Sequence, residues 1–414
     1  MVRRLRENGL ALVFAGVGVW TMFYLGLYGF AWTDYDFEAA PAYGALLGGH
    51  LWRFFELAPA YGGSLELRAP FALLPGLWGG GAFATYQLAA LPCLIAGAAI
   101  GVWLCARMRA LGASRLARGT ALALCAANPI TVRACELGHP EELLGGVLCV
   151  AAVLLARHGR AGWAGLALGL AIVNKEWALL AIGPVLIALP AHRWRTLVLG
   201  GAITAVLYAP LVIAQLTVSA GAGIFSIDTT GPIFQPWQAW WFLGSHGHIV
   251  RDAFGVILVA YRTPPAWLSS LAHPLIIALA LPLTLLALRR GRGRGGADAL
   301  LLLVGLLLLR CVLDPWDNVY YPLPFIVALV VWESLTFSRP PVLALVATVV
   351  VWALFEQLPS RVSPDFQSAL FLLVALPALA AIGLALYRPR RPGASSHQAR
   401  PAATLHPSAT ASPG

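Results

Sequence analysis

Three carboxylates within five residues, Asp34, Asp36 and Glu38 in AWTDYDFEAAPAYGALLGGH, follow the first apolar run of the chain. Carboxylates this close can hold one of their number at a useful pKa as a proton-abstracting base, or ligate a hard divalent cation through oxygen. In extended backbone all three share a face; in a helix Asp34 and Glu38 do, four residues apart. A solvated acidic loop that only ends a helix would carry the same triplet, so the decision rests on partners elsewhere. NPITVRACELGHPEELL offers Arg133, Glu136, His139, Glu141 and Glu142, RCVLDPWDNVYYPLP offers Arg310, Asp314, Asp317, Tyr320 and Tyr321, and SLELRAPF offers Arg68. With Lys175, the only lysine of the chain, these predict one polar cavity assembled from four separate connections.

Each residue also has a plain structural role. Glu141 and Glu142 suit the positive end of a helix dipole behind Pro140, and Asp314 suits the turn before Pro315. His139 reads as a hydrogen-bonded loop residue rather than a metal ligand. His246 and His248 in GSHGH form an HxH pair with no carboxylate at a ligand spacing, so no metal site is assigned, although the acidic triplet leaves a divalent cation possible. Phe234, Trp237, Trp240, Trp241 and Phe242 read as an interfacial aromatic belt.

The elements that must position these groups are membrane helices. Of 414 residues 59% are hydrophobic and only 11% charged, and the mean hydropathy is +0.76, which excludes a soluble domain of this size. Apolar runs predict an all-α polytopic bundle of about twelve crossings or half-crossings, at 9–31, 84–106, 119–134, 141–156, 161–174, 177–191, 196–214, 270–288, 298–312, 322–337, 341–356 and 367–387. The formal charge of +10 is no nucleic-acid footprint, because the arginines sit in short clusters between apolar runs. These are Arg3, Arg4 and Arg6; Arg107, Arg109, Arg115 and Arg118; Arg157 and Arg160; Arg193 and Arg195; Arg289, Arg290, Arg292 and Arg294; Arg339; Arg388, Arg390 and Arg391. All fall on one face if both termini are cytoplasmic, which leaves nearly all the carboxylates, Glu7, Asp298 and Glu333 apart, on the outer face. Residues 32–83 and 215–269 are then long outer loops, the first holding an interfacial stretch, AYGALLGGHLWRFFE.

The segment AGWAGLALGLAIVNKEWALLAIGPVLIAL lies between two arginine clusters and must rise and return. Arms of about 14 residues reach only ~21 Å, so Asn174, Lys175 and Glu176 stop inside the membrane envelope, where Glu176 can hold the lysine charge. Residues 1–387 read as one integral-membrane domain and 388–414, rich in Pro, Ala and Ser, as a disordered cytoplasmic tail. No fixed-period repeat is present, and the cysteines show no CxxC pair, although Cys135 and Cys311 fall at outer helix ends where a bridge is conceivable.

From Glu136 to Arg195 the chain resembles the core pattern of the polytopic GT-C glycosyltransferases of family 87. The pattern is a Gly-polar pair opening a helix, an inner basic turn, AGxxxGxxxxxK and a closing basic cluster; here it is Gly138 with His139, then Ala164, Gly165, Gly169 and Lys175. The family commonly has Gln or Asn where His139 stands, and often a proline where Glu176, Trp177 and Ala178 follow the lysine. The resemblance implies a GT-C-like fold and transfer of a sugar, mannose being the best-known case, from a polyprenyl-phosphate donor to an envelope glycan, glycolipid or protein on the extracytoplasmic face of the plasma membrane. It implies Asp34 or Asp36 as base with Glu38 tuning it, and Lys175 with Arg133, Arg310 or Arg68 as phosphate clamp. His139, Glu141, Glu142, Asp314, Asp317 and Tyr320 would contact substrate. A transporter or lipid flippase with an outward polar cavity is the competing class, and a structural membrane scaffold the third.

Overall fold

A computed structural model describes residues 2–27, 34–218, 234–245, 250–251, 257–258, 262–289 and 296–388. His246, His248 and the tail beyond Arg388 lie outside them. The described chain is helical apart from a short ladder pairing Val250–Arg251 with Ile257–Leu258. Among the described residues five stretches are long and apolar enough to cross a bilayer: Gly9–Leu27, Ala82–Ala110, Arg193–Thr217, Ser270–Arg289 and Pro364–Tyr387. Apolar side chains of these helices, such as Trp20, Val206, Leu281 and Leu373, point outward, the inverse of a water-soluble surface. The chain is a helical membrane protein.

The helices run α1 (Val2–Leu27), α2 (Ala40–Leu47), α3 (Leu51–Leu57), α4 (Gly62–Ala72), α5 (Ala82–Ala110), α6 (Arg115–Ala126), α7 (Pro129–Glu136), α8 (Glu141–Arg157), α9 (Ala161–Asn174), α10 (Ile182–Ala188), α11 (Arg193–Val218), α12 (Ala266–Arg289), α13 (Gly296–Leu313), α14 (Leu323–Phe337), α15 (Val342–Trp352) and α16 (Pro364–Tyr387). At the centre α8 packs on α5, α9, α13 and α14, and α9 packs on α11. The α9–α11 contact is close because Gly165 and Gly169 meet the backbone of Thr196 and Gly200 where side chains would collide. Hairpins α8–α9 and α13–α14 carry the chain between two ends. At one end are the arginine-rich turns, such as 158–160; at the other are the connections 137–140, 174–176 and 314–322.

Several predicted elements differ. The run 119–134 is two helices, because Asn128 caps α7 by accepting from the Ile130 N–H at 2.9 Å and Pro129 cannot donate to the preceding turn. The return arm 177–191 begins as a 3₁₀ segment, Glu176–Ala181, before α10; Pro184 lacks the N–H that would continue an α ladder through it. The run 341–356 ends in a π turn, Ala353–Gln357. Residues 34–83, expected as part of an outer loop, are largely helical, and the stretch expected at the interface is broken into α2 and α3 by Gly49, whose φ of 79° suits glycine. All six cysteines are buried free thiols, so Cys135 and Cys311 are not bridged.

Candidate active site

The acidic triplet is helical: Asp34 precedes a π turn, Tyr35–Ala39. Asp34 and Glu38 are therefore on one side and half-buried, while Asp36 is exposed. Gly138, at φ 89°, brings the α7–α8 turn against this segment; a Cβ there would stand 2.6 Å from the Tyr35 nitrogen. That approach sets the His139 ring between two carboxylates, its Nε2 3.2 Å from Asp34 Oδ2 and its Nδ1 2.8 Å from Glu141 Oε1. Tyr320 stacks on the ring at 4.5 Å and Tyr61 meets it edge-on. Burial opposes charging the imidazole, but the Glu141 and Asp34 carboxylates prevail and raise its pKa to about 9. Both ring nitrogens then carry protons and donate.

Behind His139 the first two residues of α8 hold the cations. Lys175 Nζ lies 3.3 Å from Glu141 Oε1, 3.8 Å from Glu142 Oε1, and 4.1 Å over the Tyr61 ring. Arg68 Nη2 reaches Glu141 Oε2 at 3.4 Å. Arg310 donates from both Nη atoms to Glu142, at 3.2 and 3.3 Å, and lies over the rings of Trp177 and Tyr321. Trp177 Nε1 adds a third donor to Glu142 at 3.2 Å. Lys175 is held in place because α9 stops at Asn174, whose amide donates to the Glu141 carbonyl at 2.9 Å and accepts from Ser64 at 3.0 Å. Tyr61 closes the group by donating to Glu38 at 2.5 Å.

Among the predicted residues the structure thus unites Asp34, Glu38, Arg68, His139, Glu141, Glu142, Lys175, Arg310 and Tyr320. Four stand apart. Asp36 faces outward because it stands two helical positions from both Asp34 and Glu38, about half a turn off their shared face. Arg133 is occupied by Glu136 and by Glu356, the latter at 2.8 Å. Asp314 pairs with His273 Nε2 at 3.5 Å and caps the Trp316 N–H at 3.0 Å. Asp317 is fully buried with neither oxygen hydrogen-bonded among the described residues, and burial pushes its carboxyl well above the usual range. Glu176 is exposed; the ammonium's ion-pair partners are Glu141 and Glu142 instead. Tyr61, Ser64 and His273 were not singled out by the sequence, although Tyr61, Ser64 and Arg68 follow helical spacing on one face. Among the described residues no three His, Cys, Asp or Glu side chains form a group that could hold a metal.

Compared with protein-family models, curated proteins and solved structures, the chain matches none.

Proposed function

We propose that the chain is a membrane glycosyltransferase of GT-C-like architecture in the plasma membrane, with twelve crossings or half-crossings and both termini cytoplasmic. It moves a sugar, mannose first among those to test, from a polyprenyl-phosphate donor to an envelope glycan, glycolipid or protein on the extracytoplasmic side. The observation that carries this reading is the line Asp34–His139–Glu141–Lys175, an accessible carboxylate and a sunken ammonium joined through a buried imidazole. Asp34 Oδ2 is held by His139, which leaves Oδ1 to take the proton of an acceptor hydroxyl. The hydroxyl oxygen bonds to the anomeric carbon as that carbon's bond to the lipid phosphate breaks, and the phosphate leaves with the electron pair. Around Glu141 and Glu142 two carboxylates face four cations, Arg68, His139, Lys175 and Arg310. The arginines each neutralise one glutamate and Asp34 answers the imidazolium, so the lysine charge is in surplus and available to a phosphate.

Purified protein in nanodiscs, given radiolabelled polyprenyl-phosphate mannose or glucose and an envelope extract, is expected to label an acceptor. Lys175→Met is expected to abolish labelling while the protein stays folded, since Arg68 and Arg310 still counter both glutamates. No labelled acceptor from either donor, or full labelling by Lys175→Met at subsaturating donor, would overturn the reading.

A further inference from the structure

Away from the charged group, the last four helices leave space between them. A cavity of about 420 Å³ lies between α13, α14, α15 and α16, walled by residues such as Leu308, Phe325, Trp332, Ala347 and Ala378 and open on one side. Its lining is almost entirely hydrocarbon. Its lining runs ten positions along α13, Leu301 to Cys311, and fourteen along α16, Phe371 to Ala385, or about 15 to 21 Å at 1.5 Å per residue. That is half to two-thirds of a hydrocarbon core of ~30 Å. Apolar walls without partner atoms forfeit dispersion energy, and within a bilayer the material at hand to restore it is lipid chain.

A buried polar group lies behind one end of the slot. Phe355, in its wall, stacks on Trp237 with centroids 4.4 Å apart, and the indole Nε1 of Trp237 is buried without an acceptor among the described residues. Glu356, the next residue, carries Arg133. A buried donor one ring behind the wall of an apolar slot matches an amphiphile whose ester oxygens begin where its chain ends.

We propose that this slot binds one fatty-acyl chain of a bilayer glycerophospholipid, with the ester end beside Trp237. Its length selects that class: an acyl chain ends within it, whereas a polyprenyl chain overruns it. The site requires only that α13–α16 lie in a membrane, and it stands whether or not the chain transfers sugar.

The test uses full-length protein in phosphatidylcholine nanodiscs doped with a phosphatidylcholine carrying a diazirine on its sn-2 chain. Irradiation and peptide mapping are expected to give adducts on the segments holding Ala347 and Ala378 in excess over those around Val206, an outward residue of α11. Ala347→Trp and, separately, Ala378→Phe fill the slot and are expected to remove that excess while labelling near Val206 persists, which also reports that the variant is folded. Slot labelling no denser than that at Val206, or undiminished in both folded variants, would overturn the site. Displacement of the probe by unlabelled polyprenyl phosphate but not by unlabelled phosphatidylcholine would overturn the acyl assignment.

Discussion

Lys175 and Arg133 each bridge two glutamates, yet the two groups differ in what surrounds them. Lys175, Glu141 and Glu142 are almost fully buried, with side-chain exposures of 11%, 0% and 1%. Arg68 and Arg310 back them, and they open forward through His139 to Asp34. Arg133 is 26% exposed and faces Glu136 and Glu356, one cation against two carboxylates, tying α7 to the π turn after α15. A cation can receive an anionic ligand only where its neighbours leave positive charge in surplus. Glu141 and Glu142, contacted by four cations, meet that condition and Glu136 and Glu356, contacted by Arg133, do not, so we propose Lys175 for the site and a fastening role for Arg133.

The comparison breaks most visibly at Glu142. Glu142→Gln strands the buried Arg310 guanidinium, and such a loss costs about 3–5 kcal/mol. Thermal unfolding of the purified variant is expected to show that loss, and Glu142→Leu/Arg310→Leu is expected to recover most of it. A Glu142→Gln protein as stable as the parent would mean that the pair is not desolvated.

His139 gives the next largest effect, and pH exposes it. Its folded-state pKa of about 9 exceeds the ordinary 6.5, so its contribution to stability is fully present below pH 6.5 and is lost as pH rises through about 9. The shift corresponds to on the order of 3 kcal/mol. Stability profiles from pH 6 to 10 are expected to fall for the parent and to stay flatter for His139→Gln. Parallel profiles would remove the imidazolium from the network.

Arg133→Gln should do least. A partly exposed pair is worth no more than about 1 kcal/mol, so unfolding is expected to shift slightly and sugar transfer to stay unchanged. Loss of transfer in a stable Arg133→Gln protein would return this arginine to the phosphate site.

The membrane class and the helical hairpin under Lys175 were legible because bilayer thickness translates directly into run length and arginine placement. The site was legible as a set of residue types, since charges in apolar surroundings stand out. What pairs with what was not. Glu176 adjoins Lys175 in sequence, but the lysine backbone is extended there, at φ −157° and ψ 133°, and the ammonium meets the start of α8 instead. Asp36 and Asp34 are equivalent as letters, and only the helical conformation after Asp34 separates them. Tyr61 and His273 carried no charge signal, and each is fixed by a carboxylate on a distant segment, Glu38 and Asp314.

We propose Asp34, oriented by His139, as the base of a sugar transfer. The most direct measurement is the rate of transfer from radiolabelled polyprenyl-phosphate sugar by Asp34→Asn and Asp36→Asn, side by side in the same nanodiscs. A general base contributes roughly 10²–10⁴-fold, so Asp34→Asn is expected to lose that much rate while Asp36→Asn stays near the parent. Undiminished transfer by Asp34→Asn, or its loss in Asp36→Asn alone, would contradict the assignment.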